Sequence, residues 1–244
     1  MIYQEFAKFY DELFDETMYD GWLSFVKDNV NVNDKMMDMA CGTGRLLELL
    51  LENNYQVSGM DLSEDMLTLA DERIRNNDNN AELIQGDMTD LSDFPSYDAI
   101  SCFDDSLCYL PDITTLEITF KNVYEHLNEG GKFLFDVITP YQTDEVYPGY
   151  MYNFHDDSSA FMWQSYIGEH EHSVEHDLVF FNYNESKDAY DQFSEIHKER
   201  TYELDTYLDL LSDIGFKNIK VSSNFGHDDI EEDTTRWFFM CQKG

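Results

Sequence analysis

A glycine turn and three carboxylates are spaced in this chain as a small-molecule site needs them. The stretch 36–66, MMDMACGTGRLLELLLENNYQVSGMDLSEDM, starts as an apolar strand that reaches Asp38. It turns through Ala40, Cys41, Gly42, Thr43 and Gly44 into a leucine-rich helix, then runs along a second short strand to Asp61. A glycine turn between strand and helix lets a ligand approach backbone amides and the helix N-terminus. Asp61, 23 residues beyond Asp38, stands where a carboxylate accepts bonds from ribose hydroxyls. Ser63 reads as the N-cap of the next helix, with Glu64 and Asp65 in its first turn. A third strand ends LIQGDM and brings Asp87 and Met88 to the same rim. A dinucleotide fingerprint needs a third glycine, but position 47 is Leu, and no GK[ST] follows, so pyrophosphate is disfavoured. A ligand with a ribose, an adenine and no phosphate fits, and an acidic, aromatic-lined site suits a sulfonium cation.

The elements that must hold these residues alternate along the chain. Residues 3–29 read as a helix with Phe6, Tyr10, Leu13 and Phe14 on one face. Strands are expected at 35–40, 55–60, 82–86, 97–103 and 131–138, and helices at 44–53, 63–76 and 113–128. Such alternation means βαβ units and a parallel sheet. After Pro140 the pattern changes to segments rich in Tyr, Phe, His and Val, read as three long antiparallel strands over about 150–203. A helix ending near Gly215 and two closing strands complete an α/β, Rossmann-like layout. The expected division is 1–140 plus 204–244 for the cofactor-binding domain and 141–203 for an antiparallel β insert.

Composition narrows the partners. The 244 residues suffice for one sizeable core. They carry 51 acidic and 15 basic side chains, a formal net charge of -36. That surface repels phosphate backbones and anionic membranes, and five arginines make at most a small basic patch. The acidity reads first as solubility or salt tolerance. No apolar run approaches the ~20 residues needed to span a bilayer. Four cysteines with no CxxC pair, and an acidic, aromatic start unlike a signal peptide, point to a reduced, cytoplasmic protein.

Five segments in order, MMDMACGTGRLLELL, VSGMDLSEDML, AELIQGDMTDL, YDAISCFDDSLCYL and HLNEGGKFLFDV, resemble the successive motifs of class I S-adenosylmethionine-dependent methyltransferases. Ala40 stands where many members carry the first glycine of the turn. The resemblance implies S-adenosylmethionine as cofactor. Ala40, Gly42 and Gly44 would bring backbone to its methionine portion, and Asp38 would orient its amino group. Asp61 would bind the ribose diol, with Met60 and Leu62 beside it, and Asp87 and Met88 would meet the adenine. Phe103 and Asp104 would face the sulfonium and the methyl acceptor.

YQEFAKFYDELF and the late YDQFSEIHKERTYEL resemble a narrower group, small-molecule N-methyltransferases that include amino-sugar N,N-dimethyltransferases. That likeness implies a small-molecule methyl acceptor, with Tyr3, Tyr10 and Tyr19 closing over the cofactor. The antiparallel insert would roof the active site, with Glu195, His197 and Arg200 on its last strand. Strand alternation puts Phe193, Glu195 and His197 on one face. His197 is the candidate base, and Asp104 and Tyr109 are further candidates for contacting the acceptor. EHEHSVEHD offers His170, His172 and His176, but a turn near Ser173 places them at an exposed, solvated tip, and no metal is expected. Two other classes stay open: a nucleic-acid methyltransferase of the same fold, disfavoured by the charge and by FDDS where an NPPY-like motif would stand, and a cofactor-binding module without catalysis.

Overall fold

The computed structural model describes residues 16–77 and 79–244. Helix α1 (Glu16–Asn29) is followed by β1 (Lys35–Met39), α2 (Arg45–Glu52), β2 (Gln56–Asp61), α3 (Glu64–Asn76), β3 (Leu83–Gln85) and β4 (Tyr97–Cys102). Next come α4 (Ile113–His126) and β5 (Leu127–Ile138). Four strands follow: β6 (Met151–His155), β7 (Ser159–Ile167), β8 (Ser173–Asn184) and β9 (Ala189–Arg200). Helix α5 (Leu204–Ile214), β10 (Phe216–Ser222) and β11 (Arg236–Lys243) close the fold.

The main sheet has the order β10-β11-β5-β4-β1-β2-β3. Strands β1 to β5 pair in parallel, and β11 runs antiparallel between β5 and β10. Its central strands are apolar on both faces because helices cover both, as Met36, Met37, Met39, Phe133, Leu134 and Phe135 are fully buried. Phe135 and Phe239 stack across the β5–β11 pair with centroids 4.5 Å apart. Helix α3 starts where Ser63 Oγ accepts the Met66 N–H at 3.3 Å, with Glu64 and Asp65 at its N-terminus and Arg73 and Arg75 in its last turn. The Asp112 carboxylate caps α4 in the same way, accepting the Thr115 N–H at 2.8 Å.

Strands β6 to β9 form a separate antiparallel sheet. Its first stretch, read as one strand, is two. Asp156 Oδ1 accepts the backbone N–H groups of Ser158 and Ser159, both at 2.7 Å, and that carboxylate turn reverses the chain between β6 and β7. The other difference is at β5, which begins at Leu127 because α4 passes directly into extended backbone after His126. Of the helix expected over 3–29, the described part is α1. Among the described residues no helix is long and apolar enough to cross a membrane.

Candidate active site

The carboxyl ends of β1, β2 and β4 meet at one rim, where open α/β sheets place their ligands. The backbone there is unusual. Ala40 has φ 60° and Gly42 φ 54°, so the turn after β1 is left-handed twice within three residues. Gly42 needs that freedom, and a Cβ built on it meets nothing within 4 Å: the space above it is open. Gly44 has another task. A Cβ there would lie 2.8 Å from the Ala70 Cβ, so this glycine lets α2 start close against α3 rather than admitting a ligand.

Asp61 ties the turn to β2. Its Oδ2 accepts the Gly42 N–H at 2.8 Å and its Oδ1 the Ser63 N–H at 2.9 Å. Burial raises the Asp61 pKa, and those backbone bonds work against the rise. Asp38 is 3% exposed and accepts the Ser101 hydroxyl at 2.7 Å. Burial pushes its pKa up to about 7, the Ser101 bond opposes this, and the neighbouring Asp61 adds to it. A buried carboxylate with one neutral partner favours a cationic ligand group beside it.

These residues line a cavity of about 690 Å³ together with Tyr19, Trp22, Leu62, Met66, Met88 and Phe103. Tyr19 is nearly buried, with the Arg45 guanidinium 4.9 Å from its ring centroid. Trp22 stacks on Phe103 at 6.2 Å. A second cavity of about 280 Å³ lies under the antiparallel sheet, walled by Tyr147, Phe161, Trp163, His176, Leu178, Phe180, Glu199 and Arg236. Asp104, Tyr109 and His197 line both cavities.

The junction is held by a buried ion network. Asp104 and Asp105 follow one another with φ 56° and 46°, a strained pair for residues with side chains. Arg236 Nη2 donates to Asp105 Oδ2 at 2.9 Å, while Asp136 Oδ1 accepts the Asp105 N–H at 2.8 Å. Asp136 Oδ2 takes the Trp22 indole N–H at 2.6 Å, and Arg236 Nη1 lies 3.1 Å from Asp136 Oδ1. Burial opposes the Arg236 charge, but Asp105 and Asp136 outweigh it and raise its pKa further.

On β9, alternation holds: Phe193, Glu195 and His197 share the inward face, while Ser194, Ile196 and Lys198 point out. His197 Nε2 lies 3.0 Å from Glu195 Oε2, and His197 Nδ1 lies 3.0 Å from the Tyr109 hydroxyl. The carboxylate can only accept, so Nε2 carries a proton and Nδ1 offers its lone pair to Tyr109. Although 45% of Tyr109 is exposed, its hydroxyl turns inward. Burial of that hydroxyl, with Glu199, Asp105 and Asp104 around it, raises its pKa well above the usual value.

Other expected residues stand elsewhere. Arg200 has the opposite parity to His197 and sits over the Tyr202 ring, 5.0 Å away, outside both cavity walls. Asp87 is exposed and turns its Oδ1 to the Thr89 N–H and hydroxyl at 2.9 and 2.8 Å, so Met88 represents that segment in the cavity wall. Met60 is 1% exposed and belongs to the core. Tyr3 and Tyr10 lie outside the described residues. His176, expected near an exposed tip, is 3% exposed within the roof; His172 pairs with Asp144 at 2.7 Å. Among the described residues no cluster of metal-ligating groups occurs. Sequence reasoning missed Trp22, Asp105, Asp136, His176, Glu199 and Arg236; a charged residue inside the apolar run FLFDVI was the one available signal, at Asp136.

A methyltransferase domain family matches residues 36–131. A protein of Geobacillus sp. (strain WCH70), provisionally named a methyltransferase, is 34% identical over 100% of both chains. The crystal structure of an S-adenosylmethionine-dependent methyltransferase from Clostridium acetobutylicum ATCC 824 has a TM-score of 0.85 at 29% identity and covers 99% of both chains. A dTDP-3-amino-3,4,6-trideoxy-alpha-D-glucopyranose N,N-dimethyltransferase of Streptomyces venezuelae is 36% identical over 96 residues, 39% of each chain.

Proposed function

The chain belongs to the S-adenosylmethionine-dependent methyltransferases, and from that footing we propose that it methylates a nitrogen of a small soluble acceptor seated in the 280 Å³ cavity. The observation that carries this reading is that Asp104, Tyr109 and His197 line both cavities. The larger cavity fits the cofactor: open space over Gly42, the Asp61 carboxylate at the strand end, and the buried Asp38 for a cationic amino group.

When bound, S-adenosylmethionine supplies an activated methyl group: the nitrogen lone pair forms the new C–N bond as the C–S bond breaks and its electrons stay on sulfur. The protein's own work is alignment, exclusion of water and removal of a proton. Tyr109 accepts a proton from the acceptor nitrogen while passing its own to His197 Nδ1. Glu195 is a positioning residue that fixes the His197 tautomer and steadies the positive charge the ring acquires. Asp104, on its strained turn, faces the acceptor at the junction.

The small, walled cavity and the net charge of -36 support a small acceptor over a nucleic acid. A proton-accepting pair at the junction, and the amino-sugar N,N-dimethyltransferase among the relatives, support nitrogen. The test is transfer of labelled methyl from the cofactor across a panel of small amines, their alcohol and carboxylate analogues, and tRNA. Label in an amine is the expected result. Label in tRNA alone, or only in the oxygen analogues, would overturn the proposal.

A further inference from the structure

The roof contains a second polar pair that the transfer does not use. His176 Nδ1 lies 3.1 Å from the Trp163 indole nitrogen and 2.7 Å from the Ser165 hydroxyl. The indole N–H only donates, and it is shared between Nδ1 and Ser165 Oγ, 3.0 Å away; with the Ser165 hydroxyl donating to Nδ1 as well, the neutral ring carries its proton on Nε2. That Nε2–H faces Glu199 Oε1 across 3.7 Å, beyond hydrogen-bond reach. The two side chains are only 4% and 6% exposed. Neither His176 Nε2 nor Glu199 Oε2 has a hydrogen-bond partner among the described residues. A buried donor thus stands beside a buried acceptor, both unsatisfied, and both residues line the 280 Å³ cavity.

The chemistry of the gap selects its occupant. An ammonium group only donates; it would satisfy Glu199 and set its N–H against the N–H of His176. A carboxylate only accepts and would meet Glu199 with like charge. A hydroxyl donates and accepts at once. We infer that Glu199 and His176 bind a hydroxyl group of the acceptor, and that the acceptor is an amino alcohol with its amine at the junction and its hydroxyl on this pair. The amine half rests on the methyl-transfer reading above; the hydroxyl half rests on the pair alone.

The spacing supports one molecule reaching both points. Glu199 follows His197 by two residues on the same face of β9, and its side chain approaches the Tyr109 hydroxyl at the junction, so the two points are neighbours along one cavity wall. A compact carbon skeleton that carries both polar groups spans them. Phe161 and Phe180, stacked at 4.6 Å, and Trp163 provide the apolar wall such a skeleton needs.

The test uses the full chain saturated with S-adenosylhomocysteine. Cyclohexylamine and the isomers of 2-, 3- and 4-aminocyclohexanol, which differ from it by one hydroxyl, are titrated by calorimetry. At least one amino alcohol is expected to bind roughly tenfold or more tighter than cyclohexylamine, the scale of satisfying buried polar groups. In Glu199→Leu and in His176→Phe that preference should fall to about one, with S-adenosylhomocysteine affinity retained. If no isomer exceeds cyclohexylamine in the wild-type protein, the gap holds water and the inference is overturned, whether or not the variants fold. A preference unchanged in both variants also overturns it. The two readings fail separately: methyl transfer to the probes without hydroxyl preference removes this pair, and preference without transfer removes the amine assignment.

Discussion

Replacing Asp38 by Asn should stabilise the ligand-free protein at alkaline pH while damaging its cofactor site. Asp38 is fully enclosed, and burial lifts its pKa from 3.8 to about 7. The folded chain therefore holds a proton there that the unfolded chain releases near pH 4. Stability from that proton is present below the unfolded value and is lost as pH rises towards 7. At pH 8 the ionised form costs up to ~4 kcal/mol, from 3.2 pKa steps at about 1.36 kcal/mol each. Asn keeps the shape and still accepts the Ser101 hydroxyl, but its amide N–H groups need partners, which returns on the order of 1 kcal/mol. The net expectation is a gain of roughly 2–3 kcal/mol at pH 8, about 5–10 °C in Tm for a chain of this size, fading to nothing below about pH 5. S-adenosylhomocysteine should bind at least ~10-fold more weakly, because its ammonium loses a buried counter-charge. Urea melts of both proteins at pH 5 and pH 8, with calorimetry at pH 8, measure both effects. Parallel stabilities at the two pH values, or full affinity in the Asn variant, would refute the argument.

Two other perturbations address the cofactor and the junction. Gly42→Val places a β-branched side chain at φ 54° and in the open space above the turn, so S-adenosylhomocysteine binding should fall below calorimetric detection while circular dichroism still reports a folded chain. Retained binding would move the cofactor away from this turn. His197→Ala should leave cofactor affinity nearly intact and lower turnover by ~10²-fold or more, with partial rescue in His197→Gln if orientation matters more than proton transfer. Unchanged turnover would remove His197 from the mechanism.

Much of the cofactor side was legible because it is local. Strand, turn and helix follow one another within 36–66, so Asp38, Gly42 and Asp61 carry their positions in their own neighbourhood. Parity on β9 also sufficed to bring Glu195 and His197 together. The same parity excludes Arg200, because alternation turns position 200 to the face opposite His197. Asp87 departed because Thr89, two residues on, gives its carboxylate a nearer partner. The acceptor side was not legible for a different reason. His176 meets His197 directly across the β8–β9 pair, and Arg236 reaches Asp105 from 131 residues away. Such encounters depend on strand register and sheet order, which no periodicity within one segment encodes.

Phe161, Leu178 and Phe180 form the hydrophobic cluster of the roof and also wall the 280 Å³ cavity. For a lineage under selection to accept a new molecule, this is a constraint. Widening the pocket by truncating Phe180 costs about 3–5 kcal/mol of packing, and it falls on a small sheet with little other buried apolar surface. That loss is a large share of the roughly 5–15 kcal/mol by which folded proteins are stable. Changes at the polar positions 176 and 199 disturb far less packing, so drift in acceptor preference should run through them while the aromatic residues and His197 stay. Asp38, Gly42 and Asp61 line the larger cavity alone and take no part in that drift, so one donor chemistry can be kept while its recipients change.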